Sequence, residues 1–169
     1  AVQPQIVKSY AAANYDYFRS LIYNSSRYSF YLMWLLCLPI MLRIDDILEL
    51  WLGNVPESTN LFVIWTLIYS LVNVLTNPFW MAIQAVGKLK QYVLIGSGVF
   101  FLAFPIALLF FNFGLPAITA LQTLAVIRML YLLTAIIITN KYVNIGIKKY
   151  IRHTILPIVK VIAVSLSIM

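Results

Sequence analysis

The chain has 169 residues, of which 63% are hydrophobic and only 10% charged, with a mean hydropathy of +0.92. Soluble domains carry about 25% charge, so this composition excludes a water-soluble enzyme, a secreted disulfide scaffold and a nucleic-acid binder. The apolar segments are solid rather than alternating, which excludes an outer-membrane barrel. What remains is an all-α integral membrane protein, read as one transmembrane domain over residues 1–169. A span needs about 20 apolar residues, so there is room for about five.

Residues 1–29 hold Lys8, Arg19 and Arg27 against one acid, Asp16. Tyr15, Phe18, Leu21 and Ile22 share a helical face, so 12–26 reads as an amphipathic helix at the cytoplasmic membrane surface. The first span is expected over 28–42, with Pro39 near its end and Cys37, the single cysteine, inside it. The connection 43–60 holds Arg43 with Asp45, Asp46, Glu49 and Glu57. Within it Ile44, Ile47, Leu48 and Trp51 recur at helical spacing, predicting a short external interfacial helix over 45–52, capped by Asp45 and ended by Gly53. The second span is expected over 60–83, followed by the tight turn Gly87-Lys88-Leu89-Lys90. A third span over 92–111, a neutral turn at 112–116 and a fourth span over 117–139 come next. The connection 140–154 carries Lys141, Lys148, Lys149 and Arg152. A fifth span starts near Ile155 and is cut off at Met169, so the chain reads as a piece of a longer one.

Charge follows this assignment. Connections one, three and five hold nine of the twelve cations, and connection two holds four of the five acids. Cations are retained on the cytoplasmic side, which places 1–29, 85–91 and 140–154 there. Tyr15, Tyr17, Tyr23, Tyr28, Tyr92, Tyr142 and Tyr150 mark the same boundary as an aromatic belt. The net charge of +7 thus has a topological explanation.

Residues that could carry chemistry are sparse. No phosphate-binding loop, dinucleotide fingerprint or metal-ligand spacing occurs, so the chain reads as non-enzymatic, with no cofactor and no metal. His153, the single histidine, lies among basic residues at a span start and reads as facing headgroups. Arg128 sits in the middle of the fourth span, where an arginine costs at least about 2.5–3.5 kcal/mol. It must face a polar cavity, as an anion contact in a substrate pathway, or make a structural bond to carbonyls or to an acid on a helix outside this chain. Lys160, about one turn into the fifth span, either snorkels to the interface or joins the cavity. In the second span Ser70, Asn73, Asn77 and Gln84 are read as one polar stripe, with Pro78 expected to kink the helix beside it as a hinge. Such a stripe suits a hydrated lumen or hydrogen bonds between helices. Gly96 and Gly98 read as close-packing positions.

Three segments carry a resemblance. Pro4-Gln5-Ile6-Val7-Lys8-Ser9-Tyr10-Ala11-Ala12 resembles a cytoplasmic helix-end motif of bacterial polysaccharide and O-antigen flippases. Leu50-Trp51-Leu52-Gly53-Asn54-Val55-Pro56-Glu57 is similar to their outer loop. Gln84-Ala85-Val86-Gly87-Lys88, with Pro78 before it and Lys90 and Tyr92 after, resembles their next cytoplasmic turn. The chain departs from the pattern at Ala13, where glycine is expected. These proteins belong to the multidrug/oligosaccharidyl-lipid/polysaccharide exporter superfamily. The resemblance implies a MATE-like transporter with two lobes around a central cavity, of which this chain is most of the second. It implies export of undecaprenyl-pyrophosphate-linked oligosaccharide units across the bacterial inner membrane, during O-antigen or capsule synthesis. The implied partners are that lipid-linked substrate, the phospholipid bilayer and the remaining lobe. A small-molecule antiporter of the same superfamily and a membrane glycosyltransferase or polymerase acting on the same lipid-linked sugars remain the alternatives.

Overall fold

A computed structural model describes residues 2–167. The chain is 87% helical, without a strand among the described residues. Helix α1 (Gln3–Ala11) is followed by α2 (Tyr15–Leu42), α3 (Ile44–Leu52), α4 (Thr59–Val86), α5 (Leu89–Phe101), α6 (Ala103–Asn112) and α7 (Ile118–Val143). The last helix, α8 (Ile147–Ser167), contains a π-helical turn at Ile151–Ile155.

Four helical stretches are long and apolar enough to cross a membrane: Thr59–Val86, Leu89–Asn112, Ile118–Val143 and Ile147–Ser167. Within them only 11–28% of the residues of each apolar window are buried inside the fold. Apolar side chains therefore face outward, as a bilayer requires and water would not tolerate. The protein is an all-α, multi-pass membrane protein. Of the five expected spans the first, 28–42, is the exception: its 15 residues rise only about 22 Å, and α2, which contains it, is not among the four.

Several boundaries differ from the expectation for local reasons. The segment 12–26 is not a separate helix. The chain breaks at 12–14, and α2 then runs unbroken through Arg27 into 28–42. Asn14 caps it, its side chain accepting from the Tyr17 N–H at 3.2 Å, so the helix start is set by Asn14 rather than by the apolar face. The short helix at 44–52 is N-capped by Arg43, whose side chain makes no capping bond, and not by Asp45. Asp45 and Asp46 lie in its first turn, where acids oppose the helix dipole favourably. Leu102 interrupts the third apolar stretch. Pro105 has no N–H to offer the Phe101 carbonyl one turn back, which weakens the helix at that level. Residues 147–154, expected as a connection, are helical. There Pro157 cannot donate to the His153 carbonyl, which instead lies 3.5 Å from the Arg27 guanidinium. Pro78 is buried inside α4, and the helix continues through it.

Packing fixes the relative directions. One core joins Phe18 and Ile22 at the start of α2 to Phe79, Ala82 and Ile83 near the end of α4. It also takes in Tyr92 at the start of α5, Ala135 and Ile138 late in α7, and Tyr150 early in α8. Starts and ends meeting in this way mean that successive long helices run antiparallel. The connections before α2, between α4 and α5 and between α7 and α8 are therefore at one end of the bundle, which collects Lys8, Arg19, Lys88, Lys90, Lys141, Lys148 and Lys149. A second core of Phe30, Cys37, Leu71, Leu75 and Ile158 joins α2, α4 and α8, and the Trp34 indole donates to Ser165 Oγ at 3.1 Å across α2 and α8.

Candidate functional site

Arg128 lies on α7 at the wall of a cleft of about 720 Å³, whose other walls come from α4, α5 and the start of α6. Helical spacing on α4 puts Tyr69, Asn73, Thr76 and Trp80 on one face. From that face Asn73 Oδ1 and Thr76 Oγ1 both accept from one amino group of Arg128, the latter at 2.8 Å. Thr76 in turn donates to the Asn73 carbonyl at 2.7 Å, which leaves its lone pairs aimed at the arginine.

Aromatic rings enclose the same guanidinium. Its carbon lies 4.7 Å from the ring centre of Tyr131, 5.8 Å from Tyr69 and 5.9 Å from Phe100. Tyr131 is one turn along α7, and its ring packs edge-on against Tyr92 with centroids 5.9 Å apart. Gly96 makes room for that ring: a Cβ at Gly96 would lie 2.5 Å from Tyr131 Cε2. Gly98, by contrast, meets nothing within 4 Å and is not a close-packing position.

These contacts decide how a central arginine is tolerated. A hydrogen bond to a charged group contributes about 1.5–3 kcal/mol, and a desolvated cation–π contact about 2 kcal/mol. Two such bonds and three ring faces are enough to offset the insertion penalty of about 2.5–3.5 kcal/mol. The partners that α4 supplies are neutral side chains. Among the described residues the second amino group of Arg128 makes no hydrogen bond, and Nε is buried without one. Beside the arginine the cleft carries Ser97, Trp80, Phe101, Phe104 and Tyr131: one cation and two hydroxyls in an aromatic lining.

The other residues singled out from sequence lie elsewhere. Asn77 is exposed, about 80° around α4 from Tyr69 by helical geometry, and does not line the cleft. Gln84 is one full turn and more toward the basic end, where its Oε1 accepts from Gln3 Nε2 at 2.9 Å. Lys160 is exposed on α8 and away from the cleft. Ser70 bonds the Thr66 carbonyl of its own helix at 2.9 Å. Arg128 and Asn73 come together; Asn77, Gln84 and Lys160 do not join them. Thr76 and the ring set Tyr69, Phe100 and Tyr131 were missed. Thr76 stands three residues from Asn73, a spacing legible in principle. The rings could be found only by knowing which faces of α4, α5 and α7 meet. His153 is exposed, with Nδ1 2.9 Å from the Lys149 carbonyl and its ring stacked on Tyr23.

No family model, curated protein or solved structure was found to match the chain.

Proposed function

We propose that the chain is part of a polysaccharide exporter, moving a lipid-linked oligosaccharide across the bacterial inner membrane, with the Arg128 cleft as a contact for the substrate's pyrophosphate. The observation that carries this reading is a fixed positive charge at mid-span, facing an aromatic-walled cleft that holds no acid. A pyrophosphate needs donors as it passes a low-dielectric layer. A guanidinium keeps its charge when buried and offers a fork matched to phosphate oxygens. With one amino group held by Asn73 and Thr76, the other is left for a ligand. The aromatic walls suit sugar rings, which stack on such faces. An exporter of cationic drugs would want an acid where Arg128 stands. The rest of the reading is the resemblance: a MATE-like lobe that pairs with a second lobe to enclose the path.

A second reading has an observation of its own. The bonds to Asn73 and Thr76 make Arg128 a clamp between α4 and α7, with no substrate role. Export of the polysaccharide, measured beside membrane abundance of the protein, separates the two. For a substrate contact, Arg128→Ala and Arg128→Glu abolish export at normal abundance, and Arg128→Lys retains part of it. Loss of abundance in step with export identifies the clamp, and full export by well-expressed Arg128→Ala contradicts the proposal.

A further inference from the structure

A second concave site lies at the basic end of the bundle. A cleft of about 430 Å³ opens between the first turns of α2 and the connection from α7 to α8, lined by Arg19, Asn140, Asn144, Gly146, Lys148 and Lys149. Its floor is built. Asn144 and Gly146 take positive φ, 49° and 75°, which fold the connection back on itself. The Tyr23 hydroxyl donates to the Ile145 carbonyl, the Gly146 N–H donates to Asn140 Oδ1 at 3.0 Å, and the Arg19 guanidinium lies 3.5 Å from the Val143 carbonyl. The connection is thus tied at three points to α2 and α7.

The charge there is unbalanced. Arg19 pairs with Asp16 at 3.2 Å, but the Asp16 side chain is 97% exposed. Lys148 and Lys149 are exposed and form no ion pair among the described residues. Half-exposed tyrosines, Tyr15 and Tyr17, stand on the adjoining turns of α2, where amphipathic rings mark headgroup depth. The cleft also runs into an apolar track. Ile147 forms part of its wall, and Ile151, one turn further into the span, is exposed.

We propose that this cleft seats the phosphate of an anionic phospholipid headgroup from the adjoining leaflet. Arg19, Lys148 and Lys149 supply the donors and Asn144 meets the headgroup's polar substituent. One acyl chain runs down past Ile147 and Ile151. Convergent cations in a tied cleft hold one phosphate where a flat basic surface would hold none in particular. The apolar continuation is what favours a lipid over a free anion.

The test is a titration of the purified chain, in uncharged detergent, with a fluorescent short-chain phosphatidylglycerol. Saturable binding is expected, at least tenfold weaker for Lys148→Gln/Lys149→Gln. Lys88→Gln/Lys90→Gln removes the same charge at the same end and is expected to change binding less than twofold. Both lysine pairs are exposed, and circular dichroism confirms that each variant keeps its helices. Equal weakening by the two pairs would show diffuse attraction and overturn the proposal. So would competition by inorganic phosphate at the concentration of the lipid, which would make the cleft a free-anion site, or equal binding of phosphatidylcholine.

Discussion

Arg128 donates to Asn73 and Thr76 across the interface of α4 and α7 while three rings close around it. Its need for a polar partner was legible from its place among Val126, Ile127, Met129 and Leu130, because a buried charge cannot go unmet. Which partner it takes was not, since that depends on the rotation of α4 about its own axis. A difference of about 100° per residue is enough to bring Thr76 to the arginine and leave Asn77 exposed. At the same scale, Ala13 is strained. Its φ is 54°, in the left-handed region that costs a residue with a Cβ about 1–2 kcal/mol. Ala13 occupies the break between α1 and α2, at the position where the flippase pattern has glycine. Ala13→Gly should raise stability by about 0.5–1 kcal/mol, the relief of strain less the entropy of glycine. A higher melting temperature in detergent is the expected result, and an unchanged or lower one would show that the strain is relieved elsewhere.

The elements themselves were the most legible part, because a long apolar run with helical turns at its ends has few other solutions in a bilayer. The centres of α4, α7 and the α5–α6 stretch follow those runs. The observed boundaries depart from the sequence pattern where amphipathic and apolar sequence join. At Arg27 the switch in composition points to a boundary, yet nothing there breaks a helix, and α2 continues. At 147–154 the charges point to a connection, yet lysine and arginine are good helix formers and the segment is helical. Gly96 and Gly98 read alike from sequence as close-packing positions, and the α5–α7 interface separates them. Gly96 faces Tyr131, and Gly98 faces open space. Gly96→Ala must push Tyr131 from its place beside Arg128. It should lower stability by about 1–3 kcal/mol, the usual cost of overpacking. Gly98→Ala should be neutral or stabilise by up to about 1 kcal/mol, from helix propensity alone. Thermal melts of the two variants in one detergent check the contrast, and equal losses would contradict the packing described here.

At the scale of the whole molecule, antiparallel packing gathers the three basic connections at one end. It leaves Arg128 about midway along the bundle, beside a cleft walled by α4, α5, the start of α6 and α7. The central claim is that this cleft is wet and takes an anion, although it lies within apolar spans. Ser97 lines it together with Arg128, and Cys37 is buried at 1% exposure, so a reporter thiol can be placed with little background. In a Cys37→Ala chain in membranes, Ser97→Cys should react with a water-soluble thiol reagent, since only a hydrated thiol ionises and reacts. Added pyrophosphate-linked lipid should slow that reaction, and Arg128→Ala should remove the protection while leaving the reaction itself intact. A cysteine at position 97 that stays inert, or that reacts at the same rate with and without the lipid, would contradict the account.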